Sequence, residues 1–223
     1  MGFLLYKLYF MKITEIYEKY NIIDNLQLHQ LRTTAVAIRI CNSLDVKVDK
    51  ESIIKACLLH DMANIVKFDF TRFPEFYGRG GVEFWQKIKD EFISKYGIEE
   101  ETATVKIAEE IGVNSYILML IKSFAPSLSE LNQLDDNFDK KICIYSDCRV
   151  CPFGVCSMEE RIDEARRRYE NSHLAFKEED RILFNLNMKK IEDQIFSHSN
   201  IKKEDINDEL IKEDLELLKN YSV

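Results

Sequence analysis

Scarcity of turn-forming residues is the strongest constraint on this chain: its 223 residues include only 7 Gly and 3 Pro. A many-stranded sandwich or barrel needs tight turns at short intervals, and those two residue types supply most of them. Long helices need few. The apolar residues agree, recurring at spacings of three and four rather than two. The sequence therefore predicts an all-α fold.

The helices can be placed by their caps and apolar stripes. Asp24 is expected to cap a helix with Leu28, Leu31, Ala35 and Ile38 along one side. Asp49 caps the next, where Ile53, Ile54, Cys57 and Leu58 lead to His60 and Asp61. From Val82 to Tyr96, Trp85, Ile88, Phe92 and Tyr96 share a face, and Gly97 supplies the stop. Another helix runs from about Glu100 to Ile111 and ends at Gly112; Asn114 caps one reaching about Phe124. Ser127 with Glu130, and Ser157 with Glu160, read as capping boxes. The run from Lys140 to Arg149 is partly β-branched, but a lone strand would lack a partner, so helix is expected. Later helices cover about Ser157–Tyr169, Lys177–Phe196 and Lys203–Tyr221, the last with Ile206, Leu210 and Leu217 on its stripe. No repeat or linker marks a boundary. A single domain follows, with a core at about 20–170 and a C-terminal helical extension at about 171–223.

Composition narrows the partners. A net charge of -8 repels nucleic-acid backbones, so no nucleic acid is expected. A small phosphate is not excluded, because a local cation can dominate a pocket. Residues 1–10 are apolar, but Lys7 interrupts them and they fall short of the roughly 20 residues a membrane span needs. They lack a signal-peptide cleavage pattern, and Tyr6 stands where N-myristoylation needs Ser or Thr. No membrane partner is expected. Six Cys without a secretion signal favour reduced thiols in the cytoplasm.

The chemistry concentrates in a few positions. There are 4 His. His29 and His60 lie in apolar helical contexts, whereas His173 and His198 lie in polar ones and are expected to face solvent. A single core histidine is ordinary, but an adjacent His60–Asp61 pair closing an apolar run is not. Burying that carboxylate requires a cation or hydrogen-bond donors. Asp147 closes another apolar run in the same way. Two imidazoles and two carboxylates suit one divalent first-row ion with open positions. His60 and Asp61 diverge by about 100° on a regular helix, so they can share an ion only where the helix ends or bends.

The order His29-x-x-Arg32, His60-Asp61, Asp147 resembles the HD superfamily of metal-dependent phosphohydrolases. The resemblance covers roughly residues 20–170. Two stretches, HDMANIVKFD and SDCRVCPFGVCSMEER, are similar to segments of small bacterial HD-domain proteins, with Ala63 in place of a frequent Gly and Cys at 148, 151 and 156 as departures. The resemblance implies a helical HD-domain bundle. It also implies one divalent ion (manganese, iron, cobalt, nickel, zinc or magnesium) held by His29, His60, Asp61 and Asp147. Such a metal would polarise a phosphoryl oxygen and make hydroxide available for attack on phosphorus, with Asp61 as the catalytic carboxylate. The implied substrate is a nucleotide or another small phosphoester, and Arg32, Lys67 and Arg149 are the candidate substrate-binding cations. Related folds often dimerise, so a homodimer is compatible. No His lies between Asp61 and Asp147, which favours one metal and counts against the cyclic-dinucleotide and di-iron branches. The alarmone hydrolases carry a Glu-Asp pair soon after the HD dyad, and this chain has none there.

Two other readings remain open at this point. The fold could serve as a non-catalytic module that binds a nucleotide or phosphate. Alternatively, Cys148, Cys151 and Cys156 could hold zinc or an iron–sulfur cluster, although no second paired-cysteine motif follows. Free thiols are the plainer expectation for those three. The run Arg166–Arg168 is expected to pair with acids one turn earlier on a solvated helix.

Overall fold

The computed structural model describes residues 11–70, 80–170 and 175–223. The apolar segment 1–10 and His173 lie outside the described residues. Apart from one two-stranded hairpin and two isolated bridges, the regular structure among the described residues is helical. In chain order the elements are α1 (Ile13–Lys19), α2 (Asp24–Ser43), α3 (Lys50–Leu59), a 3-10 helix (Asn64–Lys67), α4 (Gly81–Tyr96), α5 (Glu100–Ile111) and α6 (Ser115–Lys122). A 3-10 helix (Pro126–Leu128), α7 (Ser129–Leu134), α8 (Phe138–Asp147), β1 (Val150–Cys151) and β2 (Gly154–Val155) follow. The chain ends through α9 (Met158–Tyr169), α10 (Glu178–Ser197), a 3-10 helix (Lys203–Asp205) and α11 (Asp208–Leu218).

Helix α2 is central because it is apolar almost all round. Leu26, Leu31, Ala35, Val36, Ala37, Ile38 and Ile40 are buried, and Gln30, Thr33 and Thr34 are buried with them. Such a helix can only be covered on every side, and α3, α8 and α11 pack against it. Leu28, expected on its buried stripe, is half-exposed instead. On α4 the predicted face holds, with Trp85, Ile88, Phe92 and Tyr96 all buried. Tyr17 of α1 donates to the Leu58 carbonyl at 2.7 Å, meeting one of the acceptors that the end of α3 leaves open.

The caps divide into those that form and those that are displaced. Asp49 accepts from the Ser52 N–H at 3.1 Å, Asn114 from the Ile117 N–H at 3.0 Å, and Ser157 with Glu160 makes the reciprocal box. Gly97 and Gly112 end α4 and α5 with φ of 102° and 96°, a backbone region that glycine enters without strain. Asp24 does not cap. Ile23 takes that position and Asp24 opens the helix, where its charge still faces the positive end of the dipole. Ser127 does not cap either: the fixed φ of Pro126 starts a 3-10 turn, and α7 begins only after Leu128.

The segment after α8 differs most from expectation. Residues 150–155 form a short antiparallel hairpin, with Val150 opposite Val155 and Cys151 opposite Gly154. The turn brings Cys151 and Cys156 to a Cα separation of 5.9 Å, and they form a disulfide, which corrects the expectation of free thiols. Cys148 stays apart as a buried thiol. Among the described residues no cysteines gather into a metal-binding group. Gly154 lets the Asp208 carboxylate approach closely: a Cβ there would lie 2.5 Å from Asp208 Oδ2 and the carboxylate would have to shift.

The C-terminal helices contribute to the same hydrophobic cluster as the rest, through Met188, Ile191, Ile195, Ile206, Ile211 and Leu218. The helix expected over 203–221 is broken at Asn207, which caps α11 by accepting from the Leu210 N–H at 3.0 Å. That break rotates the buried stripe to Ile211 and Leu218, leaving Leu217 73% exposed. The last residues return to the start of α1, where the Ile13 N–H donates to the Tyr221 carbonyl at 2.8 Å.

Candidate metal centre

The central helix α2 carries His29, and α3 ends one residue before His60. With φ -65° and ψ -27°, His60 is the last helical-type residue, and the chain then turns through 61–63 into the 3-10 helix. The turn solves the divergence of two adjacent side chains. His29 Nε2 and His60 Nε2 each lie 3.7 Å from Asp61 Oδ2. His29, His60 and Asp61 offer ligand atoms all within 4.8 Å of one another. Asp147, at the end of α8, brings Oδ1 to 2.8 Å from His29 Nε2 and 3.6 Å from His60 Nε2. All four residues expected to share an ion thus stand together.

The His60 ring is fixed from both sides. Its Nδ1 lies 2.8 Å from the Cys57 carbonyl oxygen, which can only accept, so Nδ1 carries the proton. In the neutral ring the lone pair therefore sits on Nε2 and faces the cluster. Phe124 stacks on the ring with centroids 4.3 Å apart. Nε2 itself is buried and has no hydrogen-bond partner; at 3.6 Å, Asp147 is beyond hydrogen-bond range. In the neutral ring Nε2 is a buried acceptor left unpaired, which is costly, and either a proton or a bound metal cation would complete it. Metal-binding histidines commonly show this arrangement, with the second ring nitrogen donating to a carbonyl.

The protonation of the metal-free cluster follows from the same geometry. Burial pushes the His60 imidazolium down, but the Asp61 and Asp147 carboxylates outweigh it and lift the pKa to about 10. Burial pushes the Asp147 carboxyl up, yet the two imidazoles hold it well below the usual carboxylate range. Without a metal, the site thus keeps a proton where the ion would bind.

A surrounding layer holds the ligands in place. Asn64 Nδ2 donates to Asp61 Oδ2 at 2.8 Å, and Gln30 Oε1 accepts weakly from the Asp61 N–H at 3.4 Å. The Ala63 N–H donates to Thr104 Oγ1 at 3.1 Å, and Thr104 donates to Glu100 at 3.3 Å. Lys67 pairs with Glu100 at 3.3 Å. Burial lowers the Lys67 ammonium's pKa, but Glu100 and then Asp61 more than restore it, which places Lys67 in the field of the ligand cluster.

Of the three expected substrate cations, Arg149 is engaged elsewhere. Arg32 has its Nε 3.8 Å from Asp208 of α11, beyond hydrogen-bond range, and that buried nitrogen has no hydrogen-bond partner. Arg149 is buried in a closed network: it donates to Tyr145 Oη at 2.9 Å, to the Cys156 carbonyl at 2.6 Å, and to the Lys203 and Ile206 carbonyls at 3.1 Å each. That guanidinium joins the hairpin and the 203–206 segment to α8, with four of its five N–H donors taken by these bonds and the side chain buried. Glu100, Asn64, Phe124 and Arg161 were not singled out by the sequence. Arg161 carries the one available signal, because it closes the stretch SDCRVCPFGVCSMEER.

No helix among the described residues is long and apolar enough to cross a membrane. No curated protein and no solved structure matches the chain. Residues 27–123 match the family model of the HD domain, a span that includes His29, His60 and Asp61 and stops before Asp147. HD domains bind divalent metals and belong to a superfamily of metal-dependent phosphohydrolases, which agrees with the histidine–aspartate cluster at this position. The match and the cluster together identify residues 27–123 as an HD domain.

Proposed function

We propose that the chain hydrolyses a small phosphoester, a nucleotide or a molecule of similar size, using one divalent ion held by His29, His60, Asp61 and Asp147. The observation that carries this reading is the buried, unpartnered Nε2 of His60 inside a cluster of metal-binding groups. When bound, a divalent ion supplies Lewis acidity towards a phosphoryl oxygen and lowers the pKa of coordinated water.

The chain's own residues supply the rest. Asn64 orients Asp61 by holding Oδ2, so the carboxylate cannot rotate away from the two imidazoles. Asp61 is the carboxylate that orients the attacking water and draws on its proton. The Cys57 carbonyl and Phe124 fix the His60 ring, and burial of that ring excludes bulk water from one side of the site. In-line attack on phosphorus would release phosphate or a phosphomonoester. A small substrate suits the acidic surface better than a polymer, whose many phosphates would meet a net charge of -8.

The test is phosphate release from a panel of nucleoside monophosphates, nucleoside triphosphates and small phosphoesters. Metal-stripped protein is assayed with each divalent ion, beside Asp61→Ala. Turnover that needs metal and disappears in the variant is expected. Absence of turnover with every ion would overturn the enzymatic reading in favour of a binding module.

A further inference from the structure

A buried positive charge on α9 lacks a carboxylate of its own. Asp61 and Asp147 together match a divalent ion, and Lys67 is matched by Glu100 at 3.3 Å. On α9 two guanidinium groups share one carboxylate. Glu164 Oε2 accepts from Arg161 Nη1 at 3.2 Å and from Arg168 Nη2 at 3.1 Å. Guanidinium groups do not deprotonate in proteins, so this carboxylate can match only one of the two buried charges that it touches. Both arginines are mostly covered, with side chains 18% and 27% exposed. Arg168 Nε lies 3.1 Å from Glu164 Oε1, whereas Arg161 Nε is shielded from solvent and has no hydrogen-bond partner. A buried cationic donor without an acceptor is unstable unless an anion completes it.

The fold brings this charge to the ligands. The hairpin leaves α8 directly after Asp147, α9 starts at its exit and packs on β1, and Arg161 lies in the first turn of α9. Burial pulls the Arg161 pKa down, and neighbouring anionic groups, the Asp147 carboxylate first, more than restore it. Glu159, Glu160 and Asp163 bring α9 to as many acids as arginines, but all three are exposed and their charges are screened by water, Glu160 being held by Ser157 and Asp163 pairing with Arg166 at 3.4 Å.

We propose that Arg161, with Arg168 beside it, is the anion-binding element of this site and takes the non-bridging oxygens of a substrate phosphate on its planar fork. The assignment rests on the phosphoester reading above for its substrate, but the anion site itself can be measured without turnover.

The probe is inorganic phosphate, titrated calorimetrically into the full chain loaded with a divalent ion. Saturable binding is expected in the unaltered protein, and Arg161→Gln should weaken it by about tenfold or more, the range for losing charge-assisted hydrogen bonds. Glu164→Gln should tighten it, because removing the shared carboxylate frees both arginines while keeping them in place. Metal binding should be unchanged in both variants. Unaltered phosphate affinity in Arg161→Gln, or unaltered or weaker affinity in Glu164→Gln, overturns the proposal. The second variant decides the matter even if the first fails to fold. Arg161-dependent phosphate binding without hydrolysis of any ester would leave the anion site standing and remove the hydrolase reading. Hydrolysis with unchanged KM in Arg161→Gln would do the reverse.

Discussion

Two buried polar clusters meet at the end of α8, and they differ in one respect that separates structure from chemistry. Around Arg149 the polar contacts close on one another. Tyr145 Oη donates to Glu192 at 2.8 Å and accepts from Arg149 at 2.9 Å, Lys203 pairs with Glu192, and Arg149 donates to three carbonyls. Two residues earlier, Asp147 belongs to a cluster that stays open: His60 Nε2 has no partner, and neither do Gln30 Nε2 or Arg161 Nε. A closed network of charges needs nothing from outside and fixes the position of helices. An open one leaves buried polar atoms that a bound partner would complete. Arg149, two residues from Asp147, is thus structural, whereas Arg161 on the next helix keeps an unpartnered Nε.

The comparison can be broken most forcefully at Arg149. Arg149→Ala leaves Glu192 and Tyr145 buried without their partner, and a loss of about 3–5 kcal/mol is expected. Thermal unfolding measures it, and a change under 1 kcal/mol, roughly the value of an exposed pair, would deny that the cluster is structural. In the open cluster the effect should fall on function instead. Asp61→Ala should weaken metal binding by more than about 100-fold, the upper range for losing even an outer partner of a ligand, with little loss of fold. Asn64→Ala touches only the orientation of Asp61, and a loss of about tenfold is expected in metal affinity.

The smallest effect concerns protons. With its pKa lifted from 6.5 to about 10, His60 stabilises the metal-free fold fully below pH 6.5, and that contribution fades as pH rises towards 10. Metal-free protein should lose thermal stability across that window, and His60→Gln should flatten the loss. Metal uptake near pH 7 should release a proton, because the ion takes the nitrogen that held it. Calorimetry in buffers of different ionisation enthalpy reads that release directly.

Much of this could be read from the residues because the signals were local. The spacing of Trp85, Ile88, Phe92 and Tyr96, the glycine stops at 97 and 112, and the order of His29, His60–Asp61 and Asp147 each report on nearby chain. What escaped depends on contacts across the fold. Arg149 and Arg161 are both arginines near an aspartate, and only packing decides which is enclosed by carbonyls and which shares a carboxylate. The hairpin at 150–155 is too short to show a strand period, so its disulfide was invisible too. Glu100 reads as an ordinary first-turn acid until Lys67 is seen beside it. Pro126 overrode the Ser127 cap because a fixed φ outweighs one side-chain hydrogen bond.

The central claim is that the open cluster holds one divalent ion. The most direct measurement is titration of manganese into metal-stripped protein, with free ion followed by electron paramagnetic resonance. One bound ion per chain is predicted for the unaltered protein and for Cys148→Ser, and none for His60→Ala or Asp61→Ala at the same concentrations. No binding to the unaltered protein, or an ion retained after His60 and Asp61 are both replaced, would contradict the account.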